Sequence, residues 1–389
     1  MNKLKKIVLI SPFFYPEPIS TGKFNTDFAL KLQEEGHQVT VLCSHPFYPD
    51  WKTRYSSEKL EGITIIRGGN KIKYPNKISL RRIVLEIWYA LFILKNIKKH
   101  QNKIDVIIPV FPPSLAFYTA SFFIKKEIKK IGIIHDLQII YSSQKKGLFN
   151  KLITFFIKRV EKSCFKTCDT LIFLSEEMKN AALDIYKISK IKCQVQFPFT
   201  TIIDKPLSDN LKNILPNNQH NIVYSGALGE NQNPNELLDV YDFISQNLSN
   251  SICYFFSQGP IFEELKKRNN NSKIKFYSLV SKDDVQELYA RSSIQIVPQL
   301  PNTSNGSLPS KLPNILASET KTLVITDKDS ELEQLFNDYN LQKVITTWDK
   351  QIIVCAIKEL LEQKIDLKKQ KITAEKLFNI NSLIGKIVS

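Results

Sequence analysis

Short apolar runs recur along the chain, and amphipathic stretches fill the intervals between them. The runs at residues 6–11 (KIVLIS), 38–43 (QVTVLC), 62–67 (GITIIR), 105–109 (DVIIP), 130–135 (KIGIIH) and 169–174 (DTLIFL) are rich in β-branched residues. Runs of this kind suit strands covered on both faces of a parallel sheet. A helical pattern over about residues 22–35 follows the first run and ends before Gly36. A polar, helix-poor stretch separates this series from a second one, at 221–225 (NIVYS), 251–257 (SICYFFS), 273–277 (KIKFY), 293–298 (SIQIVP) and 321–326 (KTLVIT). Helical patterns at 235–247 and 283–291 lie between those runs, and residues 350–389 read as helical with no strand. Alternation of this sort predicts an α/β protein with two doubly wound domains, over 1–200 and 201–365. A helical segment at 366–389 is expected to pack back on the first domain. Ligand crevices should open at the carboxyl ends of the strands.

Composition agrees with two globular cores. The chain has 389 residues, 43% of them hydrophobic, and a net charge of +16. The charge is uneven. Residues 1–200 hold 33 basic and 16 acidic side chains, against 21 and 22 in the remainder. A basic half points to nucleic acid, an anionic membrane or an acidic ligand. Lys outnumbers Arg 47 to 7, which also fits a compositional bias toward Lys. The six cysteines include no Cys-x-x-Cys. Cys164 and Cys168 read as small buried hydrophobes. Reduced thiols, and an opening apolar run at 7–10 too short for a signal core, predict a cytoplasmic protein.

Two segments raise the question of a membrane. Residues 106–124 carry no charge, but Pro109, Pro112 and Pro113 favour a strand, a loop and a helix over a span. Residues 80–99 set an apolar face (Val84, Leu85, Ile87, Trp88, Leu91, Phe92, Leu94) between Arg81 and Arg82 at one end and Lys95, Lys98 and Lys99 at the other. That is the form of an interfacial helix, and Arg81, Arg82, Trp88, Lys95, Lys98 and Lys99 are its expected membrane contacts. An ordinary core helix with solvated ends is the alternative.

Glycine is scarce, with 12 in all. Neither a Gly-x-Gly-x-x-Gly fingerprint nor a Gly-x4-Gly-Lys-Ser/Thr loop is present, which counts against the usual dinucleotide site and the P-loop nucleotidases. Three segments carry candidate chemistry. The loop SPFFYPEPISTGK (11–23) joins the first strand to the first helix, where backbone amides and a helix start can meet an anion. Thr21 as a plain N-cap is the simpler account of it. His135-Asp136 ends a central strand, and a histidine there can position or exchange a proton. A structural hydrogen-bonded pair is equally compatible. His45 is a weaker crevice candidate. The segment from Pro298 to Ser318 (PQLPNTSNGSLPSKLPNILAS) ends a strand, and a helix is expected to start near Ser310. Lys311 would then meet a phosphate together with helix amides, and Asn314 lies one turn further on.

In order, FFYPEPISTGKFN, LQEEGHQVTVLCSHPFYPDW, IIHDL, VEKSCFKTCDTLIFLS, NIVYSGALGE and LPSKLPNILAS together resemble glycosyltransferase family 4. The nearest likeness is to bacterial colanic-acid, O-antigen and capsule enzymes. The resemblance covers about residues 5–335. It implies the GT-B fold, two Rossmann-like domains facing across a cleft. The donor, a UDP- or GDP-linked sugar, would be held by the C-terminal domain and the acceptor by the N-terminal one. Transfer would retain the anomeric configuration without an obligatory metal or other cofactor. By resemblance, Gly226, Gln299, Ser310, Lys311 and Asn314 contact the donor, and Glu17, Gly22 and Lys23 belong to the acceptor-side loop. Asp136 and His135 face the reaction centre. Lys311 would stabilise the departing diphosphate while Asp136 or His135 orients or deprotonates the acceptor hydroxyl. The acceptor implied is a lipid-diphosphate-linked saccharide at the anionic inner face of the membrane, where the protein would sit peripherally.

The chain departs from the family pattern at two points. Gly306 and Asn314 stand where many members carry a pair of glutamates, and no cation follows Gly226 closely. A non-catalytic GT-B subunit and a sugar-nucleotide epimerase are the competing assignments. A nucleic-acid binder is disfavoured, because the basic residues are dispersed and no binding motif appears.

Overall fold

The computed structural model describes residues 4–17, 19–100, 104–139, 148–201, 206–301, 303 and 308–388. The chain forms two compact units, Met1–Phe197 with Ile380–Ser389, and Pro198–Asn379. Each is built on one parallel sheet.

In the first unit the strands are β1 (Lys6–Ile10), β2 (Gln38–Ser44), β3 (Ile63–Gly68), β4 (Val106–Phe111), β5 (Lys129–Ile134), β6 (Thr170–Phe173) and β7 (Cys193–Val195). They run in the order β3-β2-β1-β4-β5-β6-β7. Ile7 pairs with Val39 on one side and Val106 on the other, so the sheet grows outward in both directions from β1 and β4. That switch point opens a crevice at the carboxyl ends of the two strands. Helices α1 (Ser20–Glu34), α2 (Ile78–His100), α3 (Leu115–Ser121), α4 (Leu148–Thr167) and α5 (Glu176–Tyr186) join the strands. The β-branched runs are consumed by the sheet: β4 is buried at every position. Residues 106–124 form a strand, a loop and a helix, as the prolines require. Among the described residues no helix is long and apolar enough to cross a membrane.

The second unit repeats the plan with β8 (His220–Ser225), β9 (Ser251–Phe256), β10 (Ile274–Tyr277), β11 (Ile294–Pro298), β12 (Thr322–Ile325) and β13 (Lys343–Ile345), ordered β10-β9-β8-β11-β12-β13. Its helices are α6 (Pro234–Asn247), α7 (Pro260–Arg268), α8 (Val285–Ala290), α9 (Leu312–Ala317), α10 (Glu331–Asp338), α11 (Lys350–Glu362) and α12 (Leu367–Leu377). The switch point lies between β8 and β11.

The C-terminal segment expected at 366–389 is divided between the units. Helix α12 stays with the second unit, where Gln370 donates to the carbonyls of Leu316 and Thr320, each at 3.2 Å. Only α13 (Ile380–Val388) belongs to the first unit. There Lys386 donates to Val195 O at 2.8 Å and to Gln196 Oε1 at 2.7 Å. The edge strands β7 and β13 are additions to the sequence expectation. Each has three residues, too few to show a pattern of their own.

Candidate functional site

The first unit gathers its chemistry around the loop after β1. Asn25 on α1 donates to Ser11 Oγ at 2.9 Å and to Phe13 O at 3.1 Å, folding the loop onto the helix. Gly22 lies in the first turn of α1, where a Cβ would come to 3.0 Å from Glu17 O, so the close return of the loop favours glycine. Lys23 is exposed. The helix starts behind Ile19, so Thr21 is not its cap. Glu17 is buried and serves the fold: its carboxylate accepts the Phe47 amide at 3.1 Å and the Tyr48 amide, tying this loop to the one after β2. Burial lifts its pKa, and the two amides oppose that rise. Arg67 reinforces the same junction by donating to Tyr15 O at 2.6 Å. His45 is buried and accepts the Ser56 amide at 3.2 Å.

His135 directly follows β5 and meets Phe24 of α1 edge-on, ring centroids 4.7 Å apart. It is buried, and its Nε2 has no hydrogen-bond partner among the described residues. Burial pushes its pKa down to about 4, so the ring is neutral at physiological pH. A buried imidazole nitrogen without a partner is rare in a folded protein. It is suited to receive or give a hydrogen bond to a ligand hydroxyl, and poorly suited to pair with a phosphate as a cation. Asp136 stands next to it, half-buried.

A second layer beneath this loop was not anticipated. Glu86 on α2 accepts the amides of Ser114 at 3.3 Å and Leu115 at 2.9 Å and the Gln138 side chain at 2.8 Å. Glu161 on α4 accepts the Gln138 amide at 2.9 Å and the Tyr186 hydroxyl. Both carboxyls thus hold the chain that follows His135-Asp136. Burial raises the pKa of each, that of Glu161 to about 7. A sequence signal existed: these are the sole carboxylates in α2 and α4.

In the second unit two of the expected donor residues, Gly226 and Lys311, meet at the switch point. Gly226 follows β8 with φ of 122°, a left-handed backbone that favours glycine. A Cβ there would sit 3.6 Å from Lys311 Cδ. The Lys311 ammonium donates to Ser225 O at 3.0 Å and lies 3.8 Å from the centroid of the Tyr224 ring. Burial lowers its pKa to about 7. Two expectations change here. Helix α9 starts at Leu312, so Lys311 precedes the helix and turns toward β8. Asn314 is held inside the fold: its Oδ1 accepts Thr200 Oγ1 at 3.0 Å and the Thr201 amide at 2.8 Å. Gln299 also has structural partners, accepting the Thr326 hydroxyl at 2.5 Å and, through its carbonyl, the Trp348 indole at 3.2 Å. Ser310 is exposed, and Gly306 lies outside the described residues.

The helix expected at a membrane forms as α2, with two corrections. Trp88 turns inward, donating to Tyr74 OH at 3.0 Å and lying against Gly69. Arg81 stacks over the Trp51 ring at 4.5 Å. Arg82, Lys95, Lys98 and Lys99 are exposed, and Lys98 covers the Phe123 ring at 3.9 Å. Among the described residues no cluster of three or more His, Cys, Asp or Glu could hold a metal ion.

Comparison with known proteins gives concordant matches. Residues 21–197 match the family model for Glycosyltransferase Family 4. The putative colanic acid biosynthesis glycosyl transferase WcaI of Escherichia coli (strain K12) is 24% identical over 358 residues, 85% of this chain and 85% of that one. WaaG, a glycosyltransferase involved in lipopolysaccharide biosynthesis, superposes with a TM-score of 0.71 at 15% identity, over 98% of this chain and 99% of its own. A trehalose-6-phosphate structure from E. coli bound with UDP-2-fluoro glucose matches with a TM-score of 0.66 at 10% identity, over 99% of each chain.

Proposed function

We propose that the chain is a GT-B glycosyltransferase of family 4, and that it moves a sugar from a UDP- or GDP-linked donor to a lipid-diphosphate-linked saccharide in bacterial surface polysaccharide synthesis. Transfer retains the anomeric configuration and uses no metal. The observation that carries the proposal is the convergence of Gly226 and Lys311 beside Ser225 O and the Tyr224 ring. The glycine leaves space for a diphosphate against the backbone. The desolvated ammonium gains more from an incoming anion than a hydrated one would. As the glycosidic bond breaks, negative charge grows on the departing diphosphate, and Lys311 opposes it from a fixed position.

On the acceptor side, His135 contributes a neutral ring whose Nε2 is unengaged among the described residues. That ring orients the attacking hydroxyl by a hydrogen bond. Asp136 takes the proton. Glu17, Gly22, Gln299 and Asn314 serve as supports that hold the loops around the two centres. The relatives named for colanic acid and lipopolysaccharide synthesis support a surface-polysaccharide acceptor, and the basic first half supports an anionic membrane as its location. The protein works in the cytoplasm, peripherally at the inner face of that membrane. A thermal-shift screen against UDP- and GDP-sugars, followed by radiolabel transfer from each hit to a lipid extract, tests the proposal. No shift with any donor, or donor binding without transfer or hydrolysis, would remove it.

A further inference from the structure

Among the described residues, the first unit has a surface that its own fold leaves uncovered. Strands β4, β5 and β6 are added to the sheet in one direction, so right-handed crossovers bring α2, α3 and α4 to the same sheet face. The inner sides of these helices fill the core through Leu85, Tyr89, Ile93, Phe117 and Cys164. Their outer sides remain apolar. Ile87 is 52% exposed and Leu91 64% on α2, and Phe122 is 68% exposed just past α3. On α4, Leu152, Phe155 and Phe156 are 66%, 56% and 58% exposed. Apolar residues on both sides of a helix in a soluble domain mark a second apolar partner.

Charge identifies that partner. Helices α2 and α4 together contain ten Lys and Arg and two carboxylates. Both carboxylates, Glu86 and Glu161, are turned inward onto backbone amides and Gln138. The outer faces therefore present cations without acids. Arg159 lies 5.4 Å from the centroid of the Phe155 ring, so cation and aromatic ring form one exposed unit. A second copy of this face would bring like charges together. An anionic bilayer satisfies both features, with side chains entering the interface and cations meeting the headgroups.

We propose that the outer faces of α2, α3 and α4 form a single docking surface for an anionic lipid bilayer, with Leu152, Phe155 and Phe156 of α4 as inserted anchors. This deepens the lipid-linked acceptor of the preceding proposal by naming the surface that reaches the membrane, and it rests on that acceptor being lipid-borne. The test uses the full chain and vesicles without acceptor or sugar nucleotide. Co-flotation is compared for vesicles of phosphatidylcholine alone and with phosphatidylglycerol at half the lipid. The wild type should bind the anionic vesicles and release with salt. The variant Lys95→Gln/Lys98→Gln/Lys158→Gln/Arg159→Gln should bind at least a hundredfold more weakly, at about fivefold per cation near the surface. Phe155→Ser/Phe156→Ser should lose about tenfold or more on the anionic vesicles at low salt. Equal flotation with both lipids, or either variant floating like the wild type, would overturn the proposal. So would a wild-type dimer that Phe155→Ser/Phe156→Ser converts to monomer. Nucleotide-sugar thermal shifts on the same samples keep the two proposals apart. A missing shift with intact flotation indicts the donor site, and the converse indicts the docking surface.

Discussion

The two units share one architecture and use it in opposite ways. Each is a parallel sheet that grows outward from a switch point, and each places its candidate chemistry just beyond the carboxyl ends of the strands. In the first unit, which carries the whole charge excess, the central group is a neutral imidazole with a nitrogen unpartnered among the described residues. In the second unit, where acids and bases nearly balance, the central group is a cation already held by a carbonyl and a ring. Net charge is therefore no guide to where the charged chemistry lies. Ten of the first unit's cations lie on α2 and α4, and the second unit's key cation is folded in against β8. A shared scaffold leaves the identity of a site to the few residues at its switch point.

If this contrast holds, replacing the buried cation should have the largest effect. Lys311→Met should reduce transfer by about a hundredfold to a thousandfold. Its melting temperature should stay level or rise, because the desolvated ammonium no longer has to be buried. Near-normal turnover in a radiolabel assay would break the contrast. His135→Ala should come next, lowering turnover by about a hundredfold, at the low end for a positioned proton-handling group, while donor-induced thermal shifts remain. A lost donor shift would make both units donor sites and dissolve the distinction.

A smaller effect concerns protons. The Lys311 pKa of about 7 should rise when a diphosphate binds, so binding takes up protons. Uptake should approach one proton at about pH 8.5 and fall toward zero below about pH 6. Calorimetry in buffers of different ionisation enthalpy measures it. A pH-independent value near zero would mean that Lys311 does not meet the ligand.

The smallest effect is on stability. Burial raises the Glu161 pKa on folding to about 7, so the protonated carboxyl stabilises the fold. That contribution is complete below about pH 4.5 and is lost as pH rises through about 7. Glu161→Gln should flatten this limb in a series of thermal melts, and an unchanged slope would place the titration elsewhere.

Much of the fold could be read from the chain, because strands buried on both faces must be almost continuously apolar. β1, β4 and β9 announce themselves in this way, whereas the three-residue edges β7 and β13 do not. The site was legible in part. Gly226, Lys311 and His135 could be singled out by position, and the structure sets the first two side by side. What spacing could not supply was direction. One-dimensional order puts Asn314 one turn beyond Lys311, but not its amide on Thr200 and Thr201, more than a hundred residues earlier. Likewise, α2 is apolar around most of its circumference, so periodicity could not tell that Trp88 faces Tyr74 while Leu91 faces outward.

The central claim is that Gly226 and Lys311 bind the diphosphate and that His135 does not. Titrating UDP and GDP by calorimetry into the wild type, Lys311→Met and His135→Ala tests it most directly. The account predicts that one nucleotide binds the wild type and His135→Ala alike, and that Lys311→Met weakens it by about a hundredfold, the scale of removing one charge-assisted hydrogen bond from a desolvated site. Equal binding by Lys311→Met, or loss of binding in His135→Ala alone, would contradict it.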